Sequence, residues 1–517
     1  MGNARVYARN LFASWFGFAA NFLVMFFLTP FVVNTLGKEI YGVWVLMMLL
    51  TGYMGLVELG VRPGMGRYIN FYLGRQEPEK VNAIISTAMV IFLGCGALLL
   101  IIAVTLGVCF GQFFPKTPVE MLGSARLAIG LIAANLFVSF YSVAFLQVLT
   151  SHERFDITNG INLILLVVRT AATVGALTFG GGIVSLAWIM LGAGLLQLVA
   201  QAVMAKRVFP VLRISPRLVS RVHFRELISF GVWAAIGGVA LQLLYGFDAL
   251  MINVVLGPAM LTAYNFGGMF IVQARGLITE CASPFSPQIL KDCAVNDKPG
   301  VRYLVVRAGN VIMGLSMLIF LGFTFFGKEF LRLWLMNRKE GDVFETFTTY
   351  DVSYEVMVVL SLAQLAATAT IVLGNVYNGL NRVRYAAVIT LVQSLVSVAL
   401  VVGLLWAGAG LVGVALGGAA PRVIFSAISI GVAMRWIHFS FAEYAKLQLA
   451  RWAALAVAFC AACLAVNWQL PHGTWLWFAA KVALAAAVYA PLAWFILLPK
   501  DERARWGPAI KNRLLRR

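Results

Sequence analysis

Long apolar runs recur along the whole of this chain. Each approaches the roughly 20 residues that a helix needs to cross a bilayer core about 30 Å thick. A backbone in hydrocarbon must satisfy its own hydrogen bonds, and a helix does so within one segment. Hydropathy places fourteen candidate spans, at 11–35, 41–61, 82–112, 121–149, 157–180, 182–205, 227–256, 261–283, 303–326, 352–380, 385–407, 411–434, 452–470 and 473–498. The fold class is therefore an all-α polytopic membrane protein. The first run is too long for a signal-peptide core and lacks a cleavage site, so it is expected to stay as a helix.

The formal net charge of +19 would point to nucleic acid in a soluble chain, but here the 40 Lys and Arg sit between apolar runs, where topology accounts for them. An even number of spans puts both termini on one side. Under that map 29 of the cations share the side of the termini, 7 lie opposite, and Arg169, Arg275, Arg422 and Lys481 fall inside spans. The imbalance predicts cytoplasmic termini, and nucleic acid is not expected as a partner. The six cysteines lie in or beside apolar segments. Cys460 and Cys463 have C-x-x-C spacing but no second ligand pair, so no metal is expected there.

The two halves echo each other. "LGKEIYGVW" from Leu36 follows the first span and "LGPAMLTAYNFG" from Leu256 follows the seventh. Glu58 then matches Glu280, and Pro63 matches Pro284. "GGGIVSLAW" from Gly180 matches "GAGLVGVAL" from Gly408. Six spans repeated once, each set even in number, predict two parallel six-helix lobes and a central cleft for alternating access. The expected division is an N-lobe at 1–205, a basic cytoplasmic linker at 206–226 and a C-lobe at 227–435. Two appended spans with a basic cytoplasmic tail follow at 436–517.

"TPFVVNTLGKEIYGVWVLMMLLTGYMGLVELGV" with "RYINFYLGRQE" resembles the Wzx-type polysaccharide flippase branch of the multidrug/oligosaccharidyl-lipid/polysaccharide (MOP) exporter superfamily. "ISFGVWAAIGGVALQLLYGFDALMINVVLGPAMLTAYNFG" fits the same pattern. The likeness covers the first twelve spans; the last two match in number and hydropathy alone. It implies a MATE-like chain of about fourteen transmembrane helices in the bacterial inner membrane. The implied activity moves undecaprenyl-pyrophosphate-linked oligosaccharide from inner to outer leaflet for O-antigen or exopolysaccharide synthesis. Membrane lipids, and a polymerase and glycosyltransferases of the same pathway, are the implied partners.

A charge at bilayer depth costs at least about 2.5–3.5 kcal/mol and so needs a partner or a wet cavity. For a pyrophosphate-linked lipid, arginines suit the cleft because their planar fork grips phosphate oxygens. Arg275 leads, followed by Arg422 after a proline and small residues, and Arg169. Each also has a structural reading as a buried ion pair or helix contact. Lys481 is expected to snorkel or line a peripheral groove. Arg62 and Arg67 flank "RPGMG", read as a helix break that would offer glycine amides to a pyrophosphate; the same arginines would serve as positive-inside anchors. Asp248, deep in the seventh span, is the candidate proton or sodium site, against a paired structural acid. Glu58 and Glu280 are candidate gating partners of Arg62 and Arg275. Tyr53, Tyr245 and Trp233 could stack on sugars.

No P-loop, H-E-x-x-H or G-x-S-x-G pattern occurs. Transport without those would draw on a proton or sodium gradient or on consumption of product, and no other cofactor is implied. The rivals are a cation-coupled multidrug exporter of the same superfamily, a peptidoglycan-precursor (lipid II) flippase, and a polymerase or ligase. The last would need a large outer loop, whereas the connection from Phe326 to Asp351 is short and reads as a lid or spacer.

Overall fold

The computed structural model describes residues 2–335 and 347–497, apart from Leu59 and Asn381, and among them every regular element is a helix. The chain divides into two compact units, Met1–Thr262 and Ala263–Arg517. The first holds α1 (Gly2–Leu36), α2 (Lys38–Gly55), α3 (Val61–Gly74), α4 (Pro78–Val108), the single turn α5 (Phe110–Phe113), α6 (Leu122–Ser151), α7 (Phe155–Thr178), α8 (Ile183–Val208) and α9 (Arg221–Leu256). After α10 (Pro258–Ala282) come α11 (Ser286–Ala294), α12 (Lys298–Leu335), α13 (Phe347–Gly379), α14 (Val383–Trp406) and α15 (Gly410–Trp436). A single turn, α16 (Phe441–Tyr444), then leads to α17 (Ala450–Gln469) and α18 (Trp475–Leu497).

Thirteen helices among the described residues are long and apolar enough to cross a membrane. The expected eighth span is the exception. Its helix α10 has 25 residues, ample at about 1.5 Å of rise each, but Asn265, Gln273, Arg275, Thr279 and Glu280 dilute its hydropathy.

The repeat is visible in the backbone. Gly37 (φ 83°) and Gly257 (φ 97°) hold the same left-handed corner between a long first helix and its successor. Each donates its amide back into the preceding helix, Gly37 to Val33 and Gly257 to Asn253. Short 3₁₀ turns, Leu56–Glu58 and Ser283–Phe285, then end α2 and α10, and each precedes a short helix, α3 or α11. Gln76 (φ 58°) and Asn296 (φ 55°) turn the chain into α4 and α12, and Gly180 (φ 81°) and Gly408 (φ 76°) turn it towards α8 and α15.

In the first unit α6 packs on α8 and α4, α7 on α8 and α1, and α9 on α2, α3 and α4. In the second, α13 packs on α12 and α15, α14 on α15, and the pair α17–α18 on α12. Apolar helices gain little from mutual burial in lipid, so close approach matters more. A Cβ at Gly42 would stand 2.0 Å from the Pro258 carbonyl oxygen, and one at Gly267 2.6 Å from that of Ser353. Aromatic rings key α10 to α12, with Phe270 4.9 Å from Trp334 in an edge contact.

Two expectations are corrected. "RPGMG" does not break the helix but forms the first turn of α3, where Pro63 needs no hydrogen-bond donor. The break falls earlier, at Gly60, whose φ of 68° is left-handed. The connection expected from Phe326 to Asp351 is mostly helical, since α12 runs to Leu335 and α13 begins at Phe347. Its remaining residues 336–346, with the acids Glu340, Asp342 and Glu345, and the basic tail at 498–517 lie outside the described residues, as does the Trp233 side chain.

Candidate functional site

α3 is amphipathic at helical spacing. It buries Val61, Gly64, Met65, Ile69 and Tyr72 and leaves Arg62, Arg67 and Asn70 exposed. The buried face seats on α4, α6 and α9, with Gly66 tight against Gln147. Arg62 Nε lies 3.5 Å from Glu58 Oε1, one helical turn back across the Gly60 corner, with side-chain exposures of 48% and 17%. Such a half-exposed pair is worth about 0–1 kcal/mol, so Arg62 can exchange Glu58 for an incoming anion at little cost. Arg67 lies over the Tyr68 ring at 5.9 Å. Arg75 stacks on Phe71 at 4.2 Å, just past the end of α3. Burial pushes the Tyr72 hydroxyl above its ordinary pKa, with the Glu226 carboxylate adding to the effect.

The second-half counterpart is built differently. Arg275 is half-buried on α10, while Glu280 is exposed. Spacing explains the contrast. Glu58 and Arg62 are four residues apart, whereas Arg275 and Glu280 are five apart and point about 140° away from each other around the helix.

A buried polar seam of the first unit involves α2 and α9. Asp248 is only 4% exposed and Asn253 1%. Neither side-chain polar atom of Asn253 has a hydrogen-bond partner among the described residues, nor has the Tyr53 hydroxyl. The Asp248 carboxylate acts electrostatically on Tyr53 from the neighbouring helix. Gln242 sits against Gly52 and Gly246 in the same seam. Buried polar groups left unsatisfied at membrane depth are costly, which makes the seam a candidate site. The sequence singles out Asp248 here, and names Tyr53 only as an aromatic that could stack on sugars, but not Asn253 or Gln242. The available signal was two amides flanking Asp248 in an apolar run.

The remaining embedded cations are scattered. Arg169 is exposed on α7. Arg422, 6% exposed, follows Pro421 inside α15, where its carbonyl accepts the Ser426 hydroxyl at 2.7 Å. Lys481 neither snorkels nor lines a groove. It is fully buried, with Nζ 2.6 Å from Glu329 Oε2 and 2.6 Å from His472 Nδ1, and so fastens α18 to α12. The structure thus joins Glu58 to Arg62 and sets Asp248 beside Tyr53, while Arg169 and Arg422 stand on separate helices.

The fold is that of the MOP transporters. The structure resembles the inward closed conformation of the lipid II flippase MurJ, with TM-score 0.70 and 12% identity over 94% of this chain and 98% of that one. It also resembles an inward-facing multidrug resistance MATE transporter of the MOP superfamily, with TM-score 0.64 and 13% identity over 80% and 94% of the two chains. Residues 7–290 match the polysaccharide biosynthesis protein family, more than half of the sequence. The chain belongs to that family, as its motifs of the Wzx-type branch indicated. The uncharacterized membrane protein EpsK of Bacillus subtilis is 24% identical over 505 residues, 96% of each chain.

Proposed function

We propose that the protein is a flippase that carries undecaprenyl-pyrophosphate-linked oligosaccharide from the inner to the outer leaflet of the bacterial inner membrane, by alternating access, for surface polysaccharide synthesis. The observation that carries this reading is the pair of arginines that α3 leaves exposed, one on either flank of its outer surface. Arg62 and Arg67 are exposed where membrane-length α2 ends, and the half-exposed pair with Glu58 holds Arg62 weakly. An arginine so placed can pass from a carboxylate to a pyrophosphate without a large change in energy. Arg275, Arg422 and Arg169 supply further cations within membrane-length helices. Both termini are cytoplasmic in this reading, and the polymerase and glycosyltransferases of the pathway act on either side of the step.

Asp248 supports coupling to a proton or sodium ion, since a nearly inaccessible carboxylate within electrostatic reach of Tyr53 has reason to change its protonation or bind a cation. The same acid favours a second reading, a cation-coupled multidrug exporter. A strain lacking the protein separates the two. The flippase reading expects lipid-linked oligosaccharide to accumulate on the cytoplasmic leaflet with drug tolerance unchanged. Lost drug tolerance with normal surface polysaccharide would sink it.

A further inference from the structure

The second unit contains a cavity of about 410 Å³ where three connections meet, those between α11 and α12, α13 and α14, and α15 and α16. Its lining includes Lys298, Arg382, Arg435 and His438, with Asp292 as the one carboxylate. Arg382 lies over the Trp436 ring at 5.4 Å, so its guanidinium is fixed at the wall. Trp436 in turn meets Tyr377 and Tyr385 at 5.6 and 5.0 Å, a rigid aromatic base. His438 is held at φ 51°, a left-handed conformation uncommon outside glycine.

Positive-inside topology explains cations near a membrane surface, but not their convergence on one concavity with so little acid. The first unit provides the internal comparison. Its repeat equivalents of Arg382 and Arg384 are Arg154 and Asp156, and there the pair closes on itself in a fork, at 3.1 and 3.2 Å. The equivalents of Lys298 and His438 are Pro78 and Pro210. Lys206 is occupied by the Pro210 and Leu212 carbonyls at 2.8 and 2.6 Å. The Phe209 ring packs on His152, and the chain between Val208 and Arg221 is tied to α4 through Asn82, Ser86 and Thr87. The first unit therefore pairs Arg154 and covers part of this place while retaining Arg207, the equivalent of Arg435, whereas the second gathers four basic residues around a cavity.

We propose that this cavity binds a phosphate-bearing anion, with Arg382 and Arg435 gripping its oxygens, Lys298 adding charge and Trp436 supporting Arg382. The site is distinct from α3 and α10 and goes beyond the flippase reading. The phosphate could belong to a soluble ligand or to an anionic lipid headgroup, and both carry the same chemistry.

Purified full-length protein is tested with two probes: radiolabelled inorganic pyrophosphate in equilibrium dialysis, and phosphatidylglycerol retained through detergent washing and counted by mass spectrometry. Saturable binding of pyrophosphate identifies a soluble ligand, and selective retention of phosphatidylglycerol over phosphatidylcholine a lipid. The Arg382→Ala/Arg435→Ala variant should weaken whichever binds by about tenfold or more, since it removes two charge-assisted contacts. Arg154→Ala, the first-unit counterpart, should leave binding unchanged. Arg384→Asp provides a second route, placing a carboxylate beyond Arg382 as Asp156 stands beyond Arg154, and should weaken binding with every lining cation still present. Unchanged elution and melting establish that the variants fold. No saturable binding of either probe, equal binding in all variants, or loss confined to Arg275→Ala would each overturn the proposal.

Discussion

At the scale of single residues, charge placement depends on partners far away in sequence. Lys481 is enclosed completely because Glu329, 152 positions earlier, meets it at 2.6 Å while also accepting the Gly473 amide at 3.1 Å. Removing one member strands the other, so Lys481→Met should lower stability by about 3–5 kcal/mol, read as a fall in melting temperature in detergent. Adding Glu329→Leu should recover most of the loss. A single variant that melts like wild type would show that the pair carries nothing. Arg62→Ala should by contrast leave melting nearly unchanged, because its pair with Glu58 is half-exposed. Cys293 gives a pH prediction. Burial and then the neighbouring Asp292 carboxylate raise its thiol pKa. Since the thiolate is the reactive form, a variant retaining only this cysteine should be alkylated slowly at neutral pH and faster as pH rises through the raised value. Rapid labelling at neutral pH would contradict that environment.

At the scale of elements, the repeat is a set of shared corners. Gly37 and Gly257 adopt nearly the same positive φ, so alanine at either should cost a similar amount, about 1–2 kcal/mol. Thermal unfolding of Gly37→Ala and Gly257→Ala checks it, and a neutral effect at both would refute the corner argument. This part of the fold was legible, since the glycines stand at the same place in two similar segments. Other elements were not. Hydropathy ended the ninth span near Lys328, yet α12 continues because Leu331, Trp334 and Leu335 stay buried and because the charges are met: Lys328 by Asp351 at 2.8 Å, Glu329 by Lys481. Pro63 reads as a breaker in sequence because proline usually is one, whereas its place in the first turn of α3 is where proline is tolerated. Asn253 carries no periodic signal, and the two amides flanking Asp248 gain meaning only from the burial that folding gives Asn253.

At the scale of the whole molecule, membership in a polysaccharide biosynthesis family and the fold of MOP transporters agree with spans and a repeat visible in hydropathy and motif alone. The candidate site was legible only in part. The sequence names Arg62, Glu58 and Asp248, but the weak pairing of the first two and the orphaned amide of Asn253 are products of folding. The most direct test of the flippase account is headgroup translocation in proteoliposomes loaded with undecaprenyl-pyrophosphate oligosaccharide, comparing wild type, Arg62→Ala and Arg275→Ala under proton and sodium gradients. The account predicts movement by wild type, with a clear loss in Arg275→Ala and a slower rate in Arg62→Ala, both variants melting near wild type. Wild-type protein that leaves the headgroup on its original leaflet under either gradient would contradict it.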